Sequence, residues 1–288
     1  MIDLMGFYRT FIYLTESGDP LYMSYEQTIA HLDTALSNSR FGLGEYLDEG
    51  FNIWKKRAFS FIGIFIITIL IQLTLGALPV LGPFLYSFVV APCITLGIYL
   101  GTQIIDHRDE DFRFDDFFSG FPFFTNIIVL YAIISFLAML IFTPFLLHIG
   151  IDNLEAFDLA DPTTFPIKSV SWTTILLLLP ILYAGLLVSY AIPMLGFYKL
   201  PPWQALTYSA KFIHKHWFKF FAFSLVIGFI VLLGLIAVII GVIITGSMIN
   251  PMIYASFKDV TDLSGYLNNV DEDDLDIEEG GLTLDDFR

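Results

Sequence analysis

From Ala58 to Ile105, between Arg57 and Asp106, the chain contains no Asp, Glu, Lys or Arg. A helix needs about 20 apolar residues to cross a bilayer, so a run of this length holds two crossings. They join at Leu78-Pro79-Val80-Leu81-Gly82-Pro83, where two prolines and a glycine cannot sustain an ordinary helix. Spans are therefore expected at about 59–77 and 84–105.

Two further uncharged runs, 117–147 and 169–198, hold one span each, at about 123–147 and 172–197. Pro144, Pro180 and Pro193 are kinks or ends that neighbouring helices must compensate. The last run extends from Phe220 to Phe257. As one helix it would measure about 57 Å against a hydrocarbon core of about 30 Å, which tilt alone does not absorb. Two short spans, at about 220–238 and 241–257, are expected instead. The chain is 56% hydrophobic and 15% charged, where soluble domains carry roughly 25% charge. The fold class is all-α: a polytopic bundle of six membrane helices with interfacial amphipathic helices.

Before the first pair of spans Leu43, Leu47, Gly50 and Trp54 recur at amphipathic spacing, and before the last pair Leu206, Ala210, Ile213 and Trp217 do the same. Gly82 stands as far before Pro92 as Gly241 stands before Pro251. These patterns form a weak internal repeat of interfacial helix, span, tight turn and span. Three domains follow: an N-terminal cytoplasmic extension over 1–41, a membrane domain over 42–258 and an acidic tail over 259–288, which holds 11 of the 29 acidic residues and reads as disordered.

With six spans both termini share a side that collects 13 of the 14 basic residues, leaving only Lys168 opposite. The positive-inside rule then places both termini in the cytoplasm. Trp54 and Trp217 are interfacial anchors, supported by Lys55, Lys56 and Arg57 beside the first span. His214 and His216, next to Lys211, Lys215 and Lys219, are expected to touch lipid headgroups. No cleavable signal peptide is evident at Met1, and Ser24 with Gln27 forms a capping box opening a helix through Leu36, which leaves Met23 as an alternative start.

The loops offer little chemistry. Asp106, Asp109, Asp115 and Asp116 read as a solvated acidic turn rather than a metal site, and Phe114, Phe117, Phe118 and Phe121 as one face of a short helix at headgroup level. His148 and Asp152 share a helical face, but their spacing matches no recognised zinc pattern. No metal or cofactor is expected. The single cysteine, Cys93, excludes a disulfide or a cysteine metal cluster within one chain. In the acidic tail, Leu275, Ile277, Leu282, Leu284 and Phe287 form a candidate docking motif.

Charged side chains are absent from the expected spans, where ion-coupled transporters keep them. The intramembrane polar candidates are Gln72, Asn126 and Tyr190, Gln72 making an interhelical hydrogen bond in preference to lining a pore. No G-x-S-x-G, H-E-x-x-H, Walker loop or complete G-x-G-x-x-G occurs, so no catalytic residue is assigned.

The stretches Gly50 to Phe59, Leu78 to Pro83, Ala91-Pro92, Phe114 to Phe121, Ala205 to Ile213 and Trp217 to Phe221 together resemble a group of bacterial membrane proteins of the domain-of-unknown-function, YciC-like kind. They are also similar to the membrane domain of some glycerophosphodiester phosphodiesterases. The resemblance implies a six-helix inner-membrane bundle and transfers no activity or site residue. Two function classes follow: a non-catalytic membrane scaffold or assembly factor that contacts a protein partner through its cytoplasmic tail, or a passive carrier or lipid-handling protein. The bilayer is a partner in both; with a net charge of -15, nucleic acid is not.

Overall fold

The computed structural model describes residues 25–107, 111–153, 180, 182–236 and 238–274. Every regular element among them is helical. Helix α1 covers Tyr25–Asn38, α2 Leu43–Lys56 and α3 Ala58–Gly76. α4 covers Leu81–His107, and is followed by two 3-10 turns, Phe114–Phe118 and Phe121–Phe123. α5 is Phe124–Asn153, and α6 is Leu182–Phe197 with a turn at 188–190. Then come α7 Pro202–Lys215, α8 Trp217–Ile236, α9 Val238–Ser247, α10 Ile249–Val260 and α11 Leu263–Asp274.

Five stretches are long and apolar enough to cross a membrane: Ala58–Gly76, Leu81–His107, Phe114–Thr143, Trp217–Ile236 and Ile240–Val260. They coincide with five of the six expected spans. Of the sixth, at about 172–197, the described part is the shorter apolar helix α6. The last uncharged run folds as two antiparallel limbs. α8 and α9 meet where a Cβ on Gly234 would lie 2.8 Å from the Gly241 carbonyl oxygen, so only small residues permit the approach. In the first hairpin a Cβ on Gly82 would likewise collide with the Leu75 carbonyl. Val80 completes that turn at φ 64, a conformation a β-branched side chain rarely adopts.

The internal repeat is more regular than the sequence pattern implies. With Leu43 laid on Pro202, α2 falls on α7 from first residue to last, and the starts of α3 and α8 coincide, as do the ends of α1 and α6. Burial follows the same alignment. Tyr46, Gly50 and Ile53 match Ala205, Ser209 and Phe212, and Phe61 and Ile64 match Phe220 and Phe223, all buried. Thr102 and Thr261 are both fully buried, and each hydroxyl donates to the carbonyl four residues back, Ile98 and Phe257. Phe59 and Phe218, the second residues of the two spans, are 92% and 73% exposed. The unit thus comprises α1–α4 in one copy and α6, α7, α8 and the α9–α10 limb in the other, with α5 between them. The amphipathic match made in the sequence, Trp54 to Trp217, is one helical turn out of register. The structure aligns Trp54 with Ile213, because the helix breaks at Arg57 and His216 set the frame.

In both repeats the regular α-helical pattern is interrupted just before a proline. A proline removes one backbone donor and crowds the carbonyl four residues earlier. For Pro92 that carbonyl belongs to Phe88, inside the π-helical stretch Tyr86–Val90. For Pro251 it belongs to Ser247, the last residue of α9. In each copy the strain falls where the ladder is already interrupted.

The C-terminal half of α4 and all of α10 form the centre of the fold, with Cys93, Leu96, Tyr254, Ala255 and Phe257 fully buried. The 112–121 segment, expected as a short interfacial helix, forms two 3-10 turns that pack onto α4. Phe117 is fully buried between Phe61 and Phe112, at 5.4 and 5.0 Å between ring centroids. Gly97 and Gly101 leave no room there for a Cβ. Phe114 and Phe121 keep exposed faces.

Two domain boundaries shift. The expected extension over 1–41 contains α1, whose Leu32 is fully buried, so its described part belongs to the folded body. Residues 259–274 are not a disordered tail: α10 runs to Val260 and α11 follows, with Leu263 and Tyr266 in the core. The buried Val260, Leu263 and Tyr266 are interleaved with the exposed Asp259 and Asp262, which lets an acidic segment fold. Residues 275–288, with the docking motif, lie outside the described residues, as do Ser24 and Met23.

Candidate functional site at the basic side of the bundle

The ends of the spans that carry the charged residues gather into one polar junction. α2 lies antiparallel along α10: Trp54 Nε1 donates to Ser247 Oγ at 3.0 Å, a Cβ on Gly50 would stand 2.5 Å from Met252 Cα, and the Tyr46 hydroxyl donates to Asp259 at 2.5 Å. Burial first, then the Asp259 carboxylate, push the Tyr46 phenol well above its ordinary range, so it remains a donor at any physiological pH.

Lys258 occupies the centre of this contact. Its ammonium pairs with Glu49 of α2 and, at 2.8 Å, with Asp106 at the end of α4. Lys258 is 17% exposed and Asp106 15%, so the pairs are largely withdrawn from water and their partners interdependent. Lys56 donates to the carbonyls of Ile105 and Asp106 at 3.3 and 3.2 Å, a cation at the negative end of α4. One lysine from each end of the domain therefore fixes the same helix terminus.

A second set of contacts ties α1 to the later repeat. Thr28 and Tyr266 hydroxyls stand 3.3 Å apart, His31 Nε2 is 3.1 Å from the Asp262 carbonyl, and the Tyr208 hydroxyl donates to Asp33 at 3.0 Å. Ser39 Oγ is 2.9 Å from His216 Nε2, and Lys215 donates to the Leu36 and Ser37 carbonyls. Burial, and then the neighbouring Lys215 and Lys219, hold the His216 pKa below its usual value.

The structure separates the intramembrane polar candidates. Tyr190 is buried in the protein; its hydroxyl donates to Ser256 Oγ at 2.9 Å and its backbone N–H to Ser209 Oγ at 3.0 Å. Gln72 is exposed, one turn before the end of α3, so the expected interhelical hydrogen bond and the pore-lining role both give way to an outward-facing side chain. Asn126 is half-buried in the first turn of α5. The three occupy different parts of the fold and do not converge.

Among the interfacial candidates, Trp54 and Trp217 are half-buried and hold aromatic partners: Trp54 stacks on Phe51 and Trp217 meets Tyr183 edge to face at 5.7 Å. Lys55 is exposed, over the Phe51 ring at 4.7 Å, and the Arg57 guanidinium lies 5.9 Å from the Phe112 ring centroid. Of the two histidines only His216 differs from expectation. His216 turns into the protein toward Ser39, while His214 stays exposed with Nδ1 2.6 Å from the Tyr183 hydroxyl.

The acidic residues of the 106–116 turn take separate partners: Asp106 binds Lys258, Asp116 accepts from the Arg113 N–H at 2.6 Å, and Asp109 lies outside the described residues. No group of three or more His, Cys, Asp or Glu able to hold a metal occurs among the described residues. α5 runs through His148 and Asp152, whose side chains are not described.

Sequence reasoning missed the Lys258–Glu49–Asp106 and Tyr46–Asp259 contacts. The available signal was the placement of Lys258 and Asp259 directly after an uncharged span. Two buried polar atoms, Tyr254 Oη and Gln204 Oε1, have no hydrogen-bond partner among the described residues. What the junction does chemically is join three helices through charge; it aligns no nucleophile with a base. Comparison of the chain with protein families, curated proteins and solved structures returns no match.

Proposed function

We propose that this chain is a non-catalytic membrane scaffold or assembly factor. It sits as a six-span bundle in a bacterial inner membrane with both termini cytoplasmic, and engages a protein partner through residues 275–288. One observation carries the reading: several polar residues inside the fold join helices to one another, as in Lys258 with Glu49 and Asp106 and Tyr190 with Ser256. A carrier needs polar side chains around a common path, and Gln72, Asn126 and Tyr190 do not share one. A rigid basic-side layer next to an acidic segment suits a docking platform.

The test is truncation after Asp274, which leaves α11 whole. The full chain and the truncated chain are purified from the same membranes after in vivo crosslinking. The scaffold reading expects a stoichiometric crosslinked protein that is lost on truncation, with the melting temperature of the chain unchanged. No tail-dependent crosslink, together with solute flux through reconstituted vesicles that Gln72→Leu abolishes, would replace it with the carrier reading. Glycosylation or alkylation tags placed after residue 274 and at residue 160 check the orientation independently.

A further inference from the structure

α7 presents an outward stripe at helical spacing, Trp203, Thr207, Lys211 and His214, and the start of α8 adds the exposed Phe218 past the break at His216. Trp203 and Phe218 are 54% and 73% exposed, Lys211 and His214 are exposed, and Thr207 is half-buried. The stripe ends where α8 enters the apolar span at Trp217.

Its cationic centre is built rather than loose. Tyr183 Oη stands 2.6 Å from His214 Nδ1, and Tyr183 is itself set edge to face against Trp217, so Nε2 is the ring atom offered outward. The Lys211 ammonium lies 4.2 Å from the centroid of the Tyr208 ring, and the nearby carboxylate, Asp33, is engaged by the Tyr208 hydroxyl. Lys215 is directed elsewhere, to the Leu36 and Ser37 carbonyls. The charge is also one-sided along the sequence: between Asp161 and Asp259, in a chain of net charge -15, there is no Asp or Glu.

The repeat provides an internal comparison. In the alignment that lays Leu43 on Pro202, the same stripe on α2 and α3 reads Gly44, Asp48, Asn52, Lys55 and Phe59. The backbone frame and the exposed phenylalanine at the span entry are retained. The aromatic residue at the far end is replaced by glycine, a carboxylate stands in place of Thr207, and Lys211 becomes Asn52. The two copies thus share a backbone frame but differ in side chains: the α2 stripe carries a carboxylate, Asp48, and the α7 stripe has none.

We propose that the stripe from Trp203 to Phe218 binds the headgroup of an anionic phospholipid. The phosphate lies against Lys211 and His214, and Trp203 and Phe218 flank it at the interface. An exposed lysine with a histidine ring nitrogen offered beside it, flanked by aromatic side chains at a span entrance, matches the amphipathic, negatively charged headgroup layer. The α2 stripe, with Asp48 and Glu45 beside it, does not make this site.

The experiment uses the full chain in mild detergent, mixed with phosphatidylglycerol and phosphatidylcholine in equal amounts, and counts retained lipids by native mass spectrometry. The wild type is expected to retain phosphatidylglycerol preferentially. Lys211→Gln/His214→Gln lowers that preference by about fivefold or more, the weight of one surface lysine near an anionic lipid layer. Arg40→Gln, which removes an exposed cation before α2, leaves it unchanged. Tyr183→Phe, which alters no charge, lowers it partway by releasing His214. Equal preference in the wild type and the double variant overturns the site. An equal loss in Arg40→Gln also overturns it, by showing a diffuse charge effect. Lys211→Gln alone serves if the double variant melts below the wild type.

Discussion

Lys56 and Lys215 occupy equivalent positions in the two repeats, and each donates to the last carbonyls of a helix from another part of the fold. Lys56 reaches Ile105 and Asp106 at the end of α4; Lys215 reaches Leu36 and Ser37 at the end of α1. A helix end exposes unpaired carbonyls with partial negative charge, and an ammonium satisfies both the hydrogen bonds and the field. The same device, placed twice, holds the amphipathic helices at the base of each span hairpin.

Removing the cation at the main junction should cost more than removing either acid. Lys258→Met removes the ammonium that joins Glu49 to Asp106, with His107 still 3.6 Å from Asp106, and a loss of about 2 kcal/mol is expected. The 35% exposure of Glu49 keeps it below the value for a fully buried pair. Glu49→Gln retains one ion pair and should lose about half as much. Thermal unfolding in detergent measures both, and an unchanged Lys258→Met melting temperature would sink the junction as a stabilising element.

Gly50→Ala and Gly44→Ala form a matched pair on one helix. A Cβ on Gly50 meets the Met252 backbone at 2.5 Å, so α2 and α10 must separate, at about 1–3 kcal/mol. Gly44 has nothing within 4 Å, and alanine there favours the helix by roughly 0.5–1 kcal/mol. Opposite shifts in melting temperature are expected.

Val80 stands at φ 64 with 87% of its surface exposed, so its side chain gains little packing to offset the strain. Val80→Gly should stabilise the first hairpin by about 1 kcal/mol. A lower melting temperature for this variant would show that the valine makes a contact absent from the isolated chain.

His216 should make the attachment of α1 sensitive to acid. Its pKa is depressed in the folded chain by burial and by Lys215 and Lys219, so the unfolded chain takes up the proton first. The contribution is present above the ordinary histidine value of about 6.5 and fades as pH falls through the folded value. Protection of α1 amides, taken as the exchange rate relative to the intrinsic rate at each pH, should therefore fall below about pH 6.5, and His216→Gln should flatten that dependence. Protection that stays constant down to about pH 5, well below the ordinary histidine range, would contradict it.

Much of the architecture was legible because the bilayer imposes it. Uncharged runs, prolines and glycines located five of the spans and both hairpins, since a crossing needs a fixed length of apolar chain and a turn needs residues that end a helix. Gly82 and Pro92 against Gly241 and Pro251 already carried the alignment of the two repeats. The tryptophans did not, because an interfacial aromatic residue tolerates displacement by a turn whereas a glycine pressed on a backbone does not.

Polar residues were harder to place. Gln72 reads in the sequence as an interhelical hydrogen-bonding group and is exposed; Tyr190, a candidate of the same kind, is locked against Ser256. Sequence alone determined the helical class, the span lengths and the side on which the cations gather, each a consequence of local composition and length. Tertiary structure decided that α1 and α11 belong to the body, that Lys258 joins Glu49 to Asp106, and that His214 faces out while His216 faces in. Lys258 with Asp106, and Ser39 with His216, are pairings across 152 and 177 positions of the chain, fixed only when the chain has chosen which helices touch.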